Sequence, residues 1–428
     1  MKVFLFFKQG YDKGKKTVIF QSIKHKIMQK INSTLSIQKL FISFLRLGST
    51  AFGGPSMVAY IRKVAVEDKH WLDEETFNNG AALCQIIPGA TAMQSAAYVG
   101  LQTRGLAGAA AAFIGFGLPA FILMILFAAI YKSVINYPLT LFVFSCLQAM
   151  IVAIIANATI SFGKVTLKEW KSIIITVVSV VLFWLKVNPI LIIVLSAGLG
   201  ILLAMKNQLV KNISSDPALP QAVLTKEEKT KSYLSQIIAI LLFYTALLVL
   251  LFFLNENLFV LSTLMFRIDL FAFGGGFASV PLMYHEIVDV RHLLDSQAFM
   301  DGIALGQVTP GPIVITATFI GYLLDGLLGA VIGTISIFLP SFLILTGITP
   351  FFDKLRTKKI FNGVIRGVLS SFVGLLFTVT IQFALDLQWG AAQIFFGAAA
   401  LTALLLKVDI LFVVLGGIGI SIITFFII

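Results

Sequence analysis

The chain has 428 residues, 58% of them hydrophobic and only 12% charged, with a mean hydropathy of +0.97. Soluble domains are about half apolar, so this composition excludes an ordinary globular enzyme and indicates a membrane protein. The formal charge of +12 does not point to nucleic acid, because Lys and Arg gather in the N-terminal arm and in short loops beside apolar runs, the distribution that sets membrane orientation.

Residues 1–35 carry Lys2, Lys8, Lys13, Lys15, Lys16, Lys24, Lys26 and Lys30 against the single acid Asp12. Their apolar run, Val3 to Phe7, is too short for a signal-peptide core. This is read as a basic cytoplasmic arm, in which residues 19–31 are either solvated or lie on anionic lipid as an amphipathic helix. A first repeat is expected over 36–205, a polar cytoplasmic linker over 206–233, a connecting transmembrane helix over 234–255 and a second repeat over 256–428. The apolar runs approach the roughly 20 residues of a helical span and lack the alternation of a membrane barrel. The fold class is therefore all-α and polytopic. Cys84 and Cys146 are the only cysteines, and neither has neighbours at metal-ligand spacing.

The two repeats are legible as a duplication. Ala51-Phe52-Gly53-Gly54-Pro55 returns as Ala272-Phe273-Gly274-Gly275-Gly276, Gln85-Ile86-Ile87-Pro88-Gly89 as Gln307-Val308-Thr309-Pro310-Gly311, and Leu118-Pro119 as Leu339-Pro340. The offset is 221 at Phe52 and Pro119 (273 − 52 and 340 − 119) and 222 at Gln85 (307 − 85). One insertion and one deletion account for that. Loop charges differ between the copies: 163–171 is basic while its counterpart 384–390 holds only Asp386, and 352–360 is basic while 132–138 has one Lys. The basic excess thus lies at opposite ends of equivalent helices, and one unpaired span between two even-numbered copies inverts the second. About thirteen crossings follow if the glycine-broken segments span fully, with the N-terminus cytoplasmic and the C-terminus outside.

Inverted repeats with discontinuous helices are the architecture of secondary transporters, where half-helices meet near the midplane and offer unpaired amides. Proline and glycine inside a span are tolerated where protein or a watery cavity re-satisfies the backbone. Gly53, Gly54, Gly274 and Gly275 lack a Cβ and admit close approach of an oxyanion. Close helix packing is their plainer role. Arg46 and Arg267 sit six residues before Phe52 and Phe273, as counter-charges for an anion or as snorkelling cations; Asp269 stands beside Arg267 as a neutralising partner. The amides of Gln85, Gln307 and Gln94, next to Pro88, Gly89, Pro310 and Gly311, either bind a substrate oxygen or join helices. Asp73 and Asp295 read as helix N-caps. His70 and His292 either carry a coupling proton or mark an interface beside Trp71.

With these residues the sequence resembles the chromate ion transporter family in its long form of two homologous halves. Phe52-Gly53-Gly54-Pro55, Trp71-Leu72-Asp73, Leu83-Cys84-Gln85, Pro88-Gly89 and Gln94 carry the likeness in the first half. Phe273-Gly274-Gly275-Gly276, Pro281-Leu282, Gln307 and Pro310-Gly311-Pro312 carry it in the second. Ala90 departs from the family's Pro-Gly-Pro. The resemblance implies a secondary active transporter that exports chromate across the plasma membrane, driven by the proton motive force, and confers chromate resistance. Its basic residues at Arg46 and Arg267 add weight to an anion role. A transporter of sulfate or another oxyanion, or an anion channel, are the alternatives. No cofactor, metal or enzymatic activity is expected. The expected partners are the oxyanion and the bilayer, and a homodimer is compatible with the reading.

Overall fold

The computed structural model describes residues 35–52, 56–206, 227–352 and 358–427. The N-terminal arm, the Gly53-Gly54-Pro55 turn, most of the linker and most of the basic loop after Phe352 lie outside the described residues. Fifteen α-helices and no strands occur among the described residues.

The first repeat opens with α1 (Ile37–Thr50), capped by the Ser36 hydroxyl, which accepts from the Lys39 amide at 3.2 Å. Beyond the glycine turn come α2 (Ser56–Arg62), which widens into a π-helical stretch (Lys63–Asp68), and α3 (Glu74–Ile86). Asp73 caps α3 by accepting from the Thr76 amide at 2.7 Å. The long α4 (Thr91–Val134) leaves helical geometry at Arg104-Gly105. Four apolar helices complete the half and join it to the next: α5 (Pro138–Thr166), α6 (Trp170–Trp184), α7 (Pro189–Lys206) and the connector α8 (Glu227–Leu254).

The second repeat rebuilds these parts one for one. It contains α9 (Glu256–Phe271), α10 (Ser279–Tyr284) with its π-helical extension (His285–Val290), α11 (Ser296–Val308), and α12 (Thr316–Ile348), which bends at Asp325-Gly326. It ends with α13 (Lys359–Asp386), α14 (Ala391–Leu405) and α15 (Ile410–Ile427). Asp295 caps α11 through the Ala298 amide at 2.6 Å, as Asp73 caps α3. His70 and His292 share a left-handed backbone, φ 51° and 50°. Both are exposed, outside the helices.

The broken segments fold back rather than cross. At 1.5 Å per residue, α1 and α3 are only about 20 Å long, against a hydrocarbon core of about 30 Å. The Gly80 position faces the ring of Tyr98, and Gly302 that of Phe319, so the helices on either side of each Pro-Gly turn lie against each other. Arg267 likewise meets Glu286 across the Phe273-Gly274-Gly275 turn. The bends in α4 and α12 are hairpins too. Gly100 touches the Gly108 backbone and Gly321 that of Gly329, and Thr318 Oγ1 lies 2.7 Å from Thr334 Oγ1 across the second bend. In the second repeat both broken segments therefore form hairpins, and in the first repeat the Pro-Gly segment does the same. Among the described residues six helices are long and apolar enough to cross a membrane, and three shorter apolar ones accompany them.

The inversion appears in the packing. Thr159 on α5 and Thr380 on α13 are equivalent residues (380 − 159 = 221), and their hydroxyls lie 3.3 Å apart. Gly163 approaches Val373 further along, so the pairing runs antiparallel. Two equivalent helices touching at equivalent residues place the pseudo-two-fold axis between them, and their opposed directions turn one repeat upside down. Aromatic contacts fill the core where α4 crosses α12: Phe113 meets Phe338 and Phe342 edge-on at 6.0 and 5.2 Å.

Candidate functional site at the crossing of the repeats

The two Pro-Gly turns exchange partners between repeats. The Gly89 amide donates to the Ala272 carbonyl at 2.9 Å, and the Gly311 amide donates to the Ala51 carbonyl at 3.1 Å. Ala51 and Ala272 each precede a Phe-Gly-Gly sequence, so the Pro-Gly turn of each copy is pinned against the end of the opening helix of the other. The same cross-over recurs at the helix-interior prolines, where Gly89 packs on Ser341 and Gly311 on Ala120, the residues after Pro340 and Pro119. Glycine is required at both turns. Their φ angles of 108° and 125° lie in the left-handed region, and an added Cβ would enter the neighbouring side chain. Gly274 and Gly275 are also left-handed, at 99° and 90°, and the space beside Gly275 is bounded by the Thr91 hydroxyl.

Around this crossing the residues expected from sequence separate into groups. Gln94 is fully buried; its amide donates to the Pro88 carbonyl and so braces the turn, while its Oε1 has no partner. Gln307 is half-buried with an unpartnered Nε2, whereas Gln85 is exposed. Phe52 and Phe273 are half-buried, Pro88 and Pro310 buried. Gly53 and Gly54 lie outside the described residues.

The two arginines occupy different environments. Arg46 is exposed on α1 and forms no ion pair among the described residues. Arg267 is bound by Glu286, which Arg291 also approaches at 3.8 Å. The expectation that Asp269 neutralises Arg267 is therefore corrected. On a helix, residues two apart point to different faces, and Asp269 turns inward to accept from the Ser341 amide at 2.8 Å. The position equivalent to Glu286 in the first repeat is Val64 (286 − 64 = 222), which leaves Arg46 without such a partner.

Sequence reasoning gave one buried acid, Asp269, the wrong partner and missed a second, Asp301. Asp269 has no exposed surface, and its Oδ1 has no partner. Asp301 on α11 accepts from Tyr131 of α4 at 2.9 Å and from Gln148 of α5 at 2.8 Å. The available signal was an acid within an apolar helical run, which membrane proteins keep for a reason. Equivalent residues in the first repeat are Gly48 and Asn79 (269 − 48 = 221; 301 − 79 = 222), so the acids belong to the second repeat alone.

Comparison with known proteins agrees with this arrangement. The family model for chromate transporters matches twice, over residues 38–201 and 259–422. An uncharacterized transporter of Methanocaldococcus jannaschii is 44% identical over 389 residues, covering 91% of this chain and 94% of its own. Chromate transport proteins of Pseudomonas aeruginosa (29% over 368 residues, 82% of each chain) and Cupriavidus metallidurans (28% over 358 residues, 82% and 83%) also match. No solved structure matches.

Proposed function

The chain belongs to the chromate transporter family, a family of membrane transporters, and from that premise we propose that it exports chromate, or a closely similar tetrahedral oxyanion, from the cytoplasm across the plasma membrane. In this reading the N-terminus is cytoplasmic and the proton motive force drives the cycle. The anion binds where the two repeats cross. Backbone amides of Gly274 and Gly275, and of Gly53 and Gly54 by repetition, approach its oxygens. Arg46 supplies a forked counter-charge, and the unpartnered Nε2 of Gln307 adds a neutral donor.

The observation that carries the proposal is the reciprocal pair of turn contacts, Gly89 to Ala272 and Gly311 to Ala51. Because each repeat's turn is bonded to the other repeat, one cannot open toward its own face without disturbing its partner. A rocking exchange between two faces is what a secondary transporter needs, whereas a channel needs a continuous path.

The test uses inside-out vesicles energised to a lumen-positive potential. Labelled chromate accumulates against its gradient, and a protonophore abolishes the accumulation. Failure to accumulate chromate, with sulfate accumulated instead, overturns the substrate. Only downhill, uncoupler-insensitive flux overturns active transport.

A further inference from the structure

Asp269 stands where a charge is hard to keep. It lies on α9 three residues before Ala272, whose carbonyl receives the Gly89 amide of the other repeat. Its Oδ2 is held by the Ser341 amide, and Ser341 packs directly on Gly89. The carboxyl therefore sits in the seam that joins the two repeats.

An ionised carboxylate without exposed surface needs a cation or several donors to offset its lost hydration. Asp269 has one backbone donor, and its other oxygen has none. The neighbouring groups are engaged elsewhere. Arg267, on the same helix, is turned to Glu286. Tyr244 of α8 is bonded to Ser262, and Asp325 of α12 is bonded to Asn255. In the π-helical stretch, His285 faces Asp289 and Phe183, while Tyr284 of α10 donates to Asp386. The Ser341 hydroxyl lies beside the carboxyl but donates to the Phe338 carbonyl, and Asp269 forms no ion pair among the described residues. A second orphan acceptor, Gln94 Oε1, belongs to the side chain that braces Gly89 against this same seam. Two unpartnered acceptors cannot satisfy each other, but a carboxylic O–H is a donor and an ionised carboxylate is not.

We propose that Asp269 is the proton-binding residue of the transport cycle, protonated when the oxyanion is bound and ionised when the site is empty. The proposal rests on the anion site assigned above. Gly274 is five residues from Asp269 (274 − 269), which chain geometry limits to roughly 18 Å. A dianion at that turn disfavours a second negative charge close by in a poorly hydrated seam, so anion and proton bind together. The proton goes onto Asp269 Oδ1 when the anion enters and leaves to water when the anion leaves. A dianion carried with one proton moves one net negative charge. The electrical part of the proton motive force, inside negative, then drives export, while its pH part opposes it.

Sulfate, which takes up no proton of its own near neutral pH, is the probe alongside chromate, and Asp269→Asn is the variant. The amide keeps an acceptor for the Ser341 N–H and cannot titrate. In purified wild-type protein, affinity for both anions should weaken as pH rises, by up to tenfold per pH unit for one linked proton. In Asp269→Asn the affinity should be independent of pH for sulfate. Asp301→Asn should keep the wild-type slope, because Asp301 has a donor on each oxygen. An unchanged slope in Asp269→Asn, or a slope lost only in Asp301→Asn, overturns the proposal. Infrared difference spectra on titration separate this question from the substrate. A protonated-carboxyl band present in the wild type and lost in Asp269→Asn supports the proton site even if neither anion binds, which would sink the anion assignment alone. A band that persists in the variant overturns the site.

Discussion

Replacing Glu286 by Gln removes the charge that holds Arg267 while keeping the side chain's shape. Glu286 is the buried member of the pair, its side chain 8% exposed against 41% for Arg267. A hydrogen bond to a charged group contributes about 1.5–3 kcal/mol, and stranding one charge of a buried pair costs about 3–5 kcal/mol. Arg267 is too exposed for the second figure, since its guanidinium regains solvation once released. Its coupling to Glu286 is therefore expected near 2 kcal/mol, within the first range. The assay is a double-mutant cycle of Glu286→Gln and Arg267→Gln, read as unfolding free energy in mixed micelles. Each single variant should lose stability, and the double should lose no more than the worse single. Additive losses, with coupling below about 0.5 kcal/mol, would refute the pairing and return Arg267 to the anion. A corollary separates the arginines: Arg267→Gln should cost mainly stability, whereas Arg46→Gln should cost mainly transport.

Arg46→Gln should weaken anion affinity by about tenfold or more, the worth of one charge-assisted hydrogen bond, and Arg46→Lys by less; equal affinity in all three proteins would leave Arg46 a surface cation. Gly89→Ala and Gly311→Ala should each lower thermal stability by about 1–3 kcal/mol through left-handed strain alone and abolish transport. Gly198→Ala is the contrasting control: an added methyl meets nothing within 4 Å, so it should stay within about 0.5 kcal/mol of the wild type. Tyr131→Phe removes one of the two donors to Asp301 and should cost about 1–3 kcal/mol, seen in the same unfolding assay. Single cysteines at Glu75 and Arg104 should react with an impermeant thiol reagent from one face of sealed vesicles, and those at Asp295 and Asp325 from the other; Glu75 and Arg104 labelling from opposite faces would mean that the hairpin crosses.

Much of this protein is written locally. An apolar run of span length, a proline or glycine that breaks it, and an acid that caps the next helix all act within a few residues, so the caps Asp73 and Asp295 follow from sequence, whereas the bends at Gly105 and Gly326 did not. Duplication and inversion were legible for a different reason: the constant offset and the alternating basic loops are properties of the whole string. What the sequence left open depends on residues far apart in the chain meeting in space. Whether a broken segment crosses or returns turns on contacts such as Gly80 with Tyr98, which helix propensity does not encode. The partner of Arg267 was misjudged because Asp269 is nearer in sequence, yet a helix points the two side chains apart and the glycine turn brings Glu286 back. The exchange of turns between Gly89 and Ala272, and between Gly311 and Ala51, belongs to tertiary structure alone, since it exists only once two inverted copies interlock about their shared axis.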